Sequence, residues 1–167
     1  MSPEITLKKP TRDDLKFIQW LWSDPETMAP VGGPIVLDDD GARDWFENVI
    51  SPGSPEDDYR LIIHQGDTPV GEISYHRLDP GTMTADLNIK MASPHRGKGY
   101  GKKALLLFLD TFFNEIGGQI MQDKVGIRNI HGRGFLMDCG FEQDPSYDDV
   151  HFLKMTRERF NTLHYTP

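Results

Sequence analysis

Residues 83–116 hold the stretch that most restricts how this chain can fold. From Met83 to Met91, apolar Met83, Ala85, Leu87, Ile89 and Met91 alternate with Thr84, Asp86, Asn88 and Lys90, the two-residue period of a half-buried strand. Beyond Arg96-Gly97-Lys98-Gly99-Tyr100-Gly101-Lys102-Lys103 the period changes. Leu105, Phe108, Leu109, Phe112 and Ile116 recur at three and four, and Ala104 widens the stripe. That spacing predicts an amphipathic helix over 99–116, stopped by Gly117-Gly118. Glycines at 97, 99 and 101 let the backbone turn tightly and approach a ligand without a Cβ in the way. The helix start offers unpaired N–H groups and the positive end of its dipole, a natural anion site. Arg96, Lys98, Lys102 and Lys103 add positive charge. Strand, glycine turn and helix together predict a pyrophosphate site.

The kind of phosphate loop follows from spacing. A Walker loop needs Gly-Lys followed by Ser or Thr, and here Lys103 occupies the hydroxyl position. The dinucleotide fingerprint G-x-G-x-x-G fails because the third glycine arrives one residue early. Arg-x-x-Gly-x-Gly, Arg96 to Gly101, does fit, and it resembles the acetyl-coenzyme A signature of the GNAT superfamily of N-acetyltransferases. A second segment agrees with that family: Val125, Asn129, Gly132 and Gly140-Phe141 match V-x-x-x-N-x-x-A…G-F, with Gly132 in place of the small alanine.

The rest of the chain reads in the same order as that family. Ile5 to Lys9 is a strand; Thr11 and Asp14 cap a helix whose face is Leu15, Ile18, Leu21 and Trp22, and Pro25 ends it. Pro30 to Pro34 is a loop. Asp38 to Asp40 cap a second helix carrying Ala42, Trp45, Phe46, Val49 and Ile50, and Ser51 to Pro55 is a turn. Tyr59–His64 and Val70–Arg77 form a hairpin through Gln65–Thr68, and Asp79-Pro80-Gly81 leads to the strand at 83–91. Ile120–Arg128 is a further strand and Ile130–Cys139 a helix ended by Gly140. A hairpin through Asp144-Pro145 closes with Val150–Met155. The expected fold is therefore α/β (α+β): a GNAT-like mixed, mostly antiparallel sheet flanked by about four helices, in one domain over 1–167. Within the superfamily, the resemblance is nearest to the branch containing ribosomal-protein N-terminal acetyltransferases.

The resemblance implies transfer of an acetyl group from acetyl-CoA to a primary amine by direct attack in a ternary complex. It places the coenzyme against Ile89, Met91, Arg96, Gly97, Lys98, Gly99, Tyr100, Gly101, Lys102 and Asn129, and an oxyanion donor among the strand amides of Ile89 to Ala92. A lysine-type amine, pKa about 10.4, costs roughly 4–5 kcal/mol to neutralise at pH 7, an α-amine only about 1.4. A base therefore matters most for the first. Asp86, near the family's glutamate position, is the leading candidate, and Glu72 on the preceding strand the second. The family's tyrosine acid falls at Leu136, which leaves Tyr147, Tyr75, His131 or water for that step. Leu136 also supports the alternative of a catalytically weak CoA-binding sensor or scaffold. Cys139, the only cysteine, reads as packed rather than nucleophilic.

Between Asp38 and Asp58 stand Asp39, Asp40, Asp44, Glu47, Glu56 and Asp57, with Arg43 the only opposing cation. Such a wall would attract a cationic acceptor, whether polyamine, aminoglycoside or peptide amine. The formal net charge of −8 argues against sequence-independent nucleic-acid binding. No apolar run approaches the roughly 20 residues of a membrane span, and Met1-Ser2-Pro3-Glu4 lacks signal-peptide character, so a cytoplasmic protein is expected. The histidines show no ligand spacing, so no metal is expected. Dimerising relatives make room for a homodimer.

Overall fold

The computed structural model describes residues 4–51 and 58–164; the expected turn at Ser51–Pro55 falls almost wholly outside them, as do Glu56, Asp57 and Met1 to Pro3. A seven-stranded sheet runs in the order β1-β2-β3-β4-β5-β7-β6. Its strands are β1 (Ile5–Lys8), β2 (Tyr59–Gln65), β3 (Thr68–Asp79), β4 (Thr84–Met91), β5 (Ile120–Gly126), β6 (Glu142–Asp144) and β7 (Val150–Thr156). Every pairing is antiparallel except β4 with β5. The final strand thus enters between β5 and β6, so the closing hairpin sits at the edge by its shorter arm.

Six α-helices lie among the described residues, more than the four expected: α1 (Leu15–Ser23), α2 (Pro25–Met28), α3 (Asp39–Trp45), α4 (Tyr100–Asp110), α5 (Ile130–Asp138) and α6 (Arg157–His164). Pro25 does end α1, but it also begins α2, because a proline at a first helical position gives up an amide that would be unpaired anyway. Asp24 caps that turn by accepting from Thr27 N at 3.1 Å. The α6 helix was not expected at all. It buries only Phe160, too little of a stripe to reveal a helix period. Asp14 accepts from Thr11 N at 2.8 Å, as the capping pattern predicts, though the first turn is a 3-10 turn over Arg12–Asp14. The strand at 120 stops at Gly126, two residues short of Arg128, and a turn follows. Gly140 has φ 108 and closes α5 with bonds from Gly140 N to Met137 O and Phe141 N to Leu136 O, both 3.0 Å.

The sheet has two unlike faces. On one, Ala85, Leu87, Tyr75 and Met121 pack with Leu105, Phe108, Leu109 and Phe112 of the α4 helix and its continuation in the main core. The other is polar: the register sets Arg60, Ser74 and Asn88 in one row and His76 beside Asp86. Both faces of β4 carry the residues that its alternation predicts. Tyr75 is fully buried on the core side and Leu136 is 2% exposed.

Candidate functional site

The parallel pairing of β4 with β5 is brief. It links Thr84, Ala85 and Asp86 to Ile120, Met121 and Gln122, after which β4 runs on to Met91 and β5 to Gly126 as separate strands. A gap opens between them. Ile120 N donates to Met83 O (3.2 Å), while Ala92 N donates to Val70 O on the far side (2.9 Å). The last parallel pair, Asp86 with Gln122, uses the Leu87 N–H, so strand alternation aims the N–H groups of Ile89 and Met91 into the gap, where no strand meets them. Of the span expected to supply an oxyanion donor, Ile89 and Met91 qualify. Ala92 does not, its amide being spent on Val70.

A cavity of about 590 Å³ fills the open end of this gap. Ile89, Met91, Arg96, Gly97, Gly99, Tyr100, Gly101, Lys102 and Asn129 all line it; of the expected coenzyme residues only Lys98 is absent from its wall. Gly97 and Gly99 adopt φ +75° and +81° with open space where a Cβ would stand, so a side chain at either would be strained and would fill the cradle. Asn129 caps α5 by accepting from Gly132 N at 2.9 Å. A Cβ on Gly132 would lie 2.6 Å from the Asn129 amide nitrogen, which accounts for glycine where the family pattern has alanine. Arg96 is not a mobile charge. Its guanidinium donates to Met91 O (3.1 Å), Glu26 O (3.0 Å) and Thr27 O (2.8 Å), fastening α2 to the end of β4. Ser93 strengthens that joint through Asp24 (2.8 Å) and Thr27 (3.0 Å). Sequence reasoning missed the roof this creates, Thr27, Pro30 and Val31, and missed His95 and Phe135 on the walls. The His95 Nδ1 is buried with no hydrogen-bond partner, an orphan that a ligand amide or hydroxyl would satisfy.

A second cavity of about 430 Å³ opens further along β4, lined by Asp58, His76, Arg77, Asp86, Leu87, Asn88, Asp123 and Lys124. Asp86 is held: Arg77 Nε donates to Oδ2 at 2.9 Å and Gln122 Nε2 to Oδ1 at 2.8 Å. His76 lies between Ser74 Oγ (3.0 Å) and Asp58 Oδ1 (3.1 Å). Burial, with Arg60 nearby, pulls its pKa below the ordinary histidine value, so the ring is neutral at pH 7. Asp123 had not been singled out. Burial first, then the Asp86 carboxylate, push its carboxyl up to about 7. Alternation along β5 sets it between Met121 and Val125, so by pattern it reads as a core position.

Glu72, the second base candidate, is 1% exposed and lines neither cavity. Trp22 Nε1 donates to it at 3.0 Å, Arg60 pairs with it, and Lys90 lies at 3.8 Å. Trp45 packs on the Arg60 guanidinium. This is a buried ion cluster clamping α1 and α3 onto the sheet. The acids of residues 38–58 are also largely engaged. Asp38 caps Gly41 (2.7 Å), Asp39 meets Lys16 (3.0 Å), Asp40 pairs with Arg43 and Glu47 with Arg12 (3.5 Å). Only Asp58 among the described ones reaches the cavity over Asp86. Of the candidate acids, His131 lines the coenzyme-side cavity. Tyr75 is in the core, where burial raises its pKa. Tyr147 packs at a tilt against Phe152, with ring centroids 4.9 Å apart. Cys139 is fully buried, and burial raises its thiol to about 11. No group of described residues could hold a metal ion, and no described helix is long and apolar enough to cross a membrane.

Residues 4–142 match the sequence pattern of the family described as Acetyltransferase (GNAT) domain. The chain is similar to an uncharacterized N-acetyltransferase p20 of Bacillus licheniformis, 22% identical over 92% of this chain and 87% of that protein. It is 29% identical over 73% of each chain to the uncharacterized N-acetyltransferase YokL, of SPbeta prophage origin, from Bacillus subtilis. Among solved structures, spermidine N-acetyltransferase from Vibrio cholerae, in complex with CoA and spermine, superposes with a TM-score of 0.82. The identity is 18%, covering 93% of this chain and 97% of that one.

Proposed function

Because the chain belongs to the GNAT acetyltransferase family, we propose that it acetylates the primary amine of a small cationic acceptor, a polyamine being the first to try, over the polar face of its sheet. Acetyl-CoA is the cosubstrate, and its bound thioester supplies the activated acetyl group. The residues fit it. Gly97 and Gly99 leave room for the pyrophosphate against the loop amides, with Lys102 at the wall. The free strand amides of Ile89 and Met91 suit the pantetheine, and Asn129 and His95, on the same cavity wall, would meet its polar groups. The Ile89 and Met91 N–H groups can receive the charge that gathers on the thioester oxygen as an amine attacks.

One observation carries the acceptor reading. The cavity continuing the gap beyond the coenzyme site is lined by three acidic side chains, Asp58, Asp86 and Asp123, against two cations: Arg77, already spent on Asp86, and Lys124, which lies over the Phe152 ring. Such a site favours an ammonium group over a neutral or anionic one. The Vibrio cholerae relative crystallised with spermine supports the same class. A dodecameric structure of that enzyme, TM-score 0.74 and 18% identical, supports testing this chain for self-association as well. The experiment is thiol release from acetyl-CoA with spermidine, an aminoglycoside, free amino acids and short basic peptides. Spermidine or another polycation should be preferred; preference for a neutral or anionic amine would overturn the reading, and release without any amine would leave the acceptor unsupported.

A further inference from the structure

Asp123 occupies an unusual position. It is the first β5 residue past the last pair with β4, Asp86 with Gln122. Its row on β5 also holds Met121 and Val125, both buried, and its β7 partner is the fully buried Leu153. A carboxyl in such a row is normally sealed in the core. Here β4 has departed, and the side chain lines the cavity shared with Asp86. Unlike Asp86, it has no ion-pair partner among the described residues. Along β4 the two cavities abut, Leu87 and Asn88 bordering one and Ile89 to Met91 the other. Asp123 therefore stands where an amine entering from the polar face would meet a thioester lying in the gap.

We propose that Asp123, rather than Asp86 or Glu72, takes the proton that the acceptor amine gives up. This rests on the acetyltransferase reading above. The amine nitrogen forms its bond to the acetyl carbon and the C–S bond breaks, its electron pair leaving on the coenzyme sulfur. The ammonium first gives one proton to the Asp123 carboxylate, which passes it to solvent; as the neutral amine attacks, its second N–H proton goes to the coenzyme sulfur by way of Asp123 or water, so one proton is released overall. The Asp86 carboxylate, clamped by Arg77 and Gln122, raises the basicity of its neighbour. An ordinary aspartate near 3.9 is mismatched to an ammonium near 10.4 by over six powers of ten. A carboxyl at about 7 is mismatched by a little over three, which brings the transfer within reach of a useful rate. The other groups facing this site are His76 and Arg77 on β3, Asp58 ahead of β2 and Lys124 beside Asp123 on β5. The lowered pKa of His76 keeps it neutral in the same range.

Two measurements test this. In the free protein, carboxyl carbon-13 NMR should show one aspartate titrating near pH 7 that disappears in Asp123→Asn. In steady-state assays with spermidine and acetyl-CoA, kcat of the parent should rise through that pH. Asp123→Asn should lose roughly a hundredfold and the rising limb with it, with acetyl-CoA affinity unchanged by calorimetry. Asp123→Glu should recover part of the rate. An Asp123 carboxyl titrating in the ordinary range, or an Asp123→Asn enzyme that keeps its rate and its limb, overturns the assignment alone. A parent that transfers acetyl to no amine overturns the functional reading and this inference with it.

Discussion

Glu72→Gln separates an anchor from a base. Glu72 is buried at 1% exposure, and its partners Arg60 and Lys90 have side chains only 12% and 9% exposed. The amide keeps the shape and can still accept from Trp22, but it leaves two buried cations facing each other without their anion. Removing one member of a buried ion pair costs about 3–5 kcal/mol, a large part of the 5–15 kcal/mol that holds a typical domain together. With a urea slope of roughly 2 kcal/mol/M, the unfolding midpoint should fall by about 2 M. Burial already lowers the Lys90 pKa, and Glu72 opposes that; without Glu72 it should fall further. Below its folded pKa the charged lysine carries its full penalty. As pH rises from there toward the ordinary value of 10.5, the unfolded state binds more protons, so the variant should gain stability with pH more steeply than the parent. Lys90→Met added to Glu72→Gln should recover part of the loss. Urea unfolding followed by tryptophan fluorescence reads all three. A midpoint lowered by less than about 0.5 M, together with a collapsed rate in folded enzyme, would refute the anchor and return Glu72 to the chemistry.

Gly99→Val forces a β-branched residue to φ +81° and fills the cradle; acetyl-CoA should bind at least about tenfold more weakly by calorimetry, and unchanged affinity in a folded variant would remove the loop from the coenzyme site. Asp86→Asn takes away the carboxylate that helps raise Asp123, so the rising limb of kcat should move to lower pH; a limb that stays in place would mean the two carboxyls do not interact. KM for a cationic acceptor should climb with salt, since exposed attraction is screened over about 8 Å at physiological ionic strength. Asp58→Asn should flatten that climb more than neutralising Asp39 or Asp40, which already hold cations; equal effects would restore the broad acidic wall.

What could be read from the chain alone followed from short-range pattern. The strand at 83–91 was legible because its alternation matches a sheet with one greasy and one polar face. The loop after it was legible because positive φ at Gly97 and Gly99 demands glycine. The cap at Asn129 and the stop at Gly140 were legible for similar local reasons. The α6 helix was hidden because Phe160 alone anchors it, and α2 because its proline reads equally as an ending. Glu72 looked like a free carboxylate because Trp22, the residue that claims one of its oxygens, lies 50 positions away. Asp123 was hidden by its own alternation, since only the divergence of β4 from β5 turns a core position into a cavity wall. The acids of residues 38–47 looked like a surface charge field until their caps and ion pairs were seen.

The account turns on one claim: a single gap between β4 and β5 carries the coenzyme in from one end and meets the amine at the other. A crystal structure of the protein with coenzyme A and spermidine tests it most directly. The account predicts the pyrophosphate on the amides of residues 97–101, the sulfur at the parting of the strands beside Leu87, and a terminal spermidine nitrogen between that sulfur and Asp123. A coenzyme sulfur lying outside the gap, or a spermidine held away from the cavity of Asp58, Asp86 and Asp123, would contradict it.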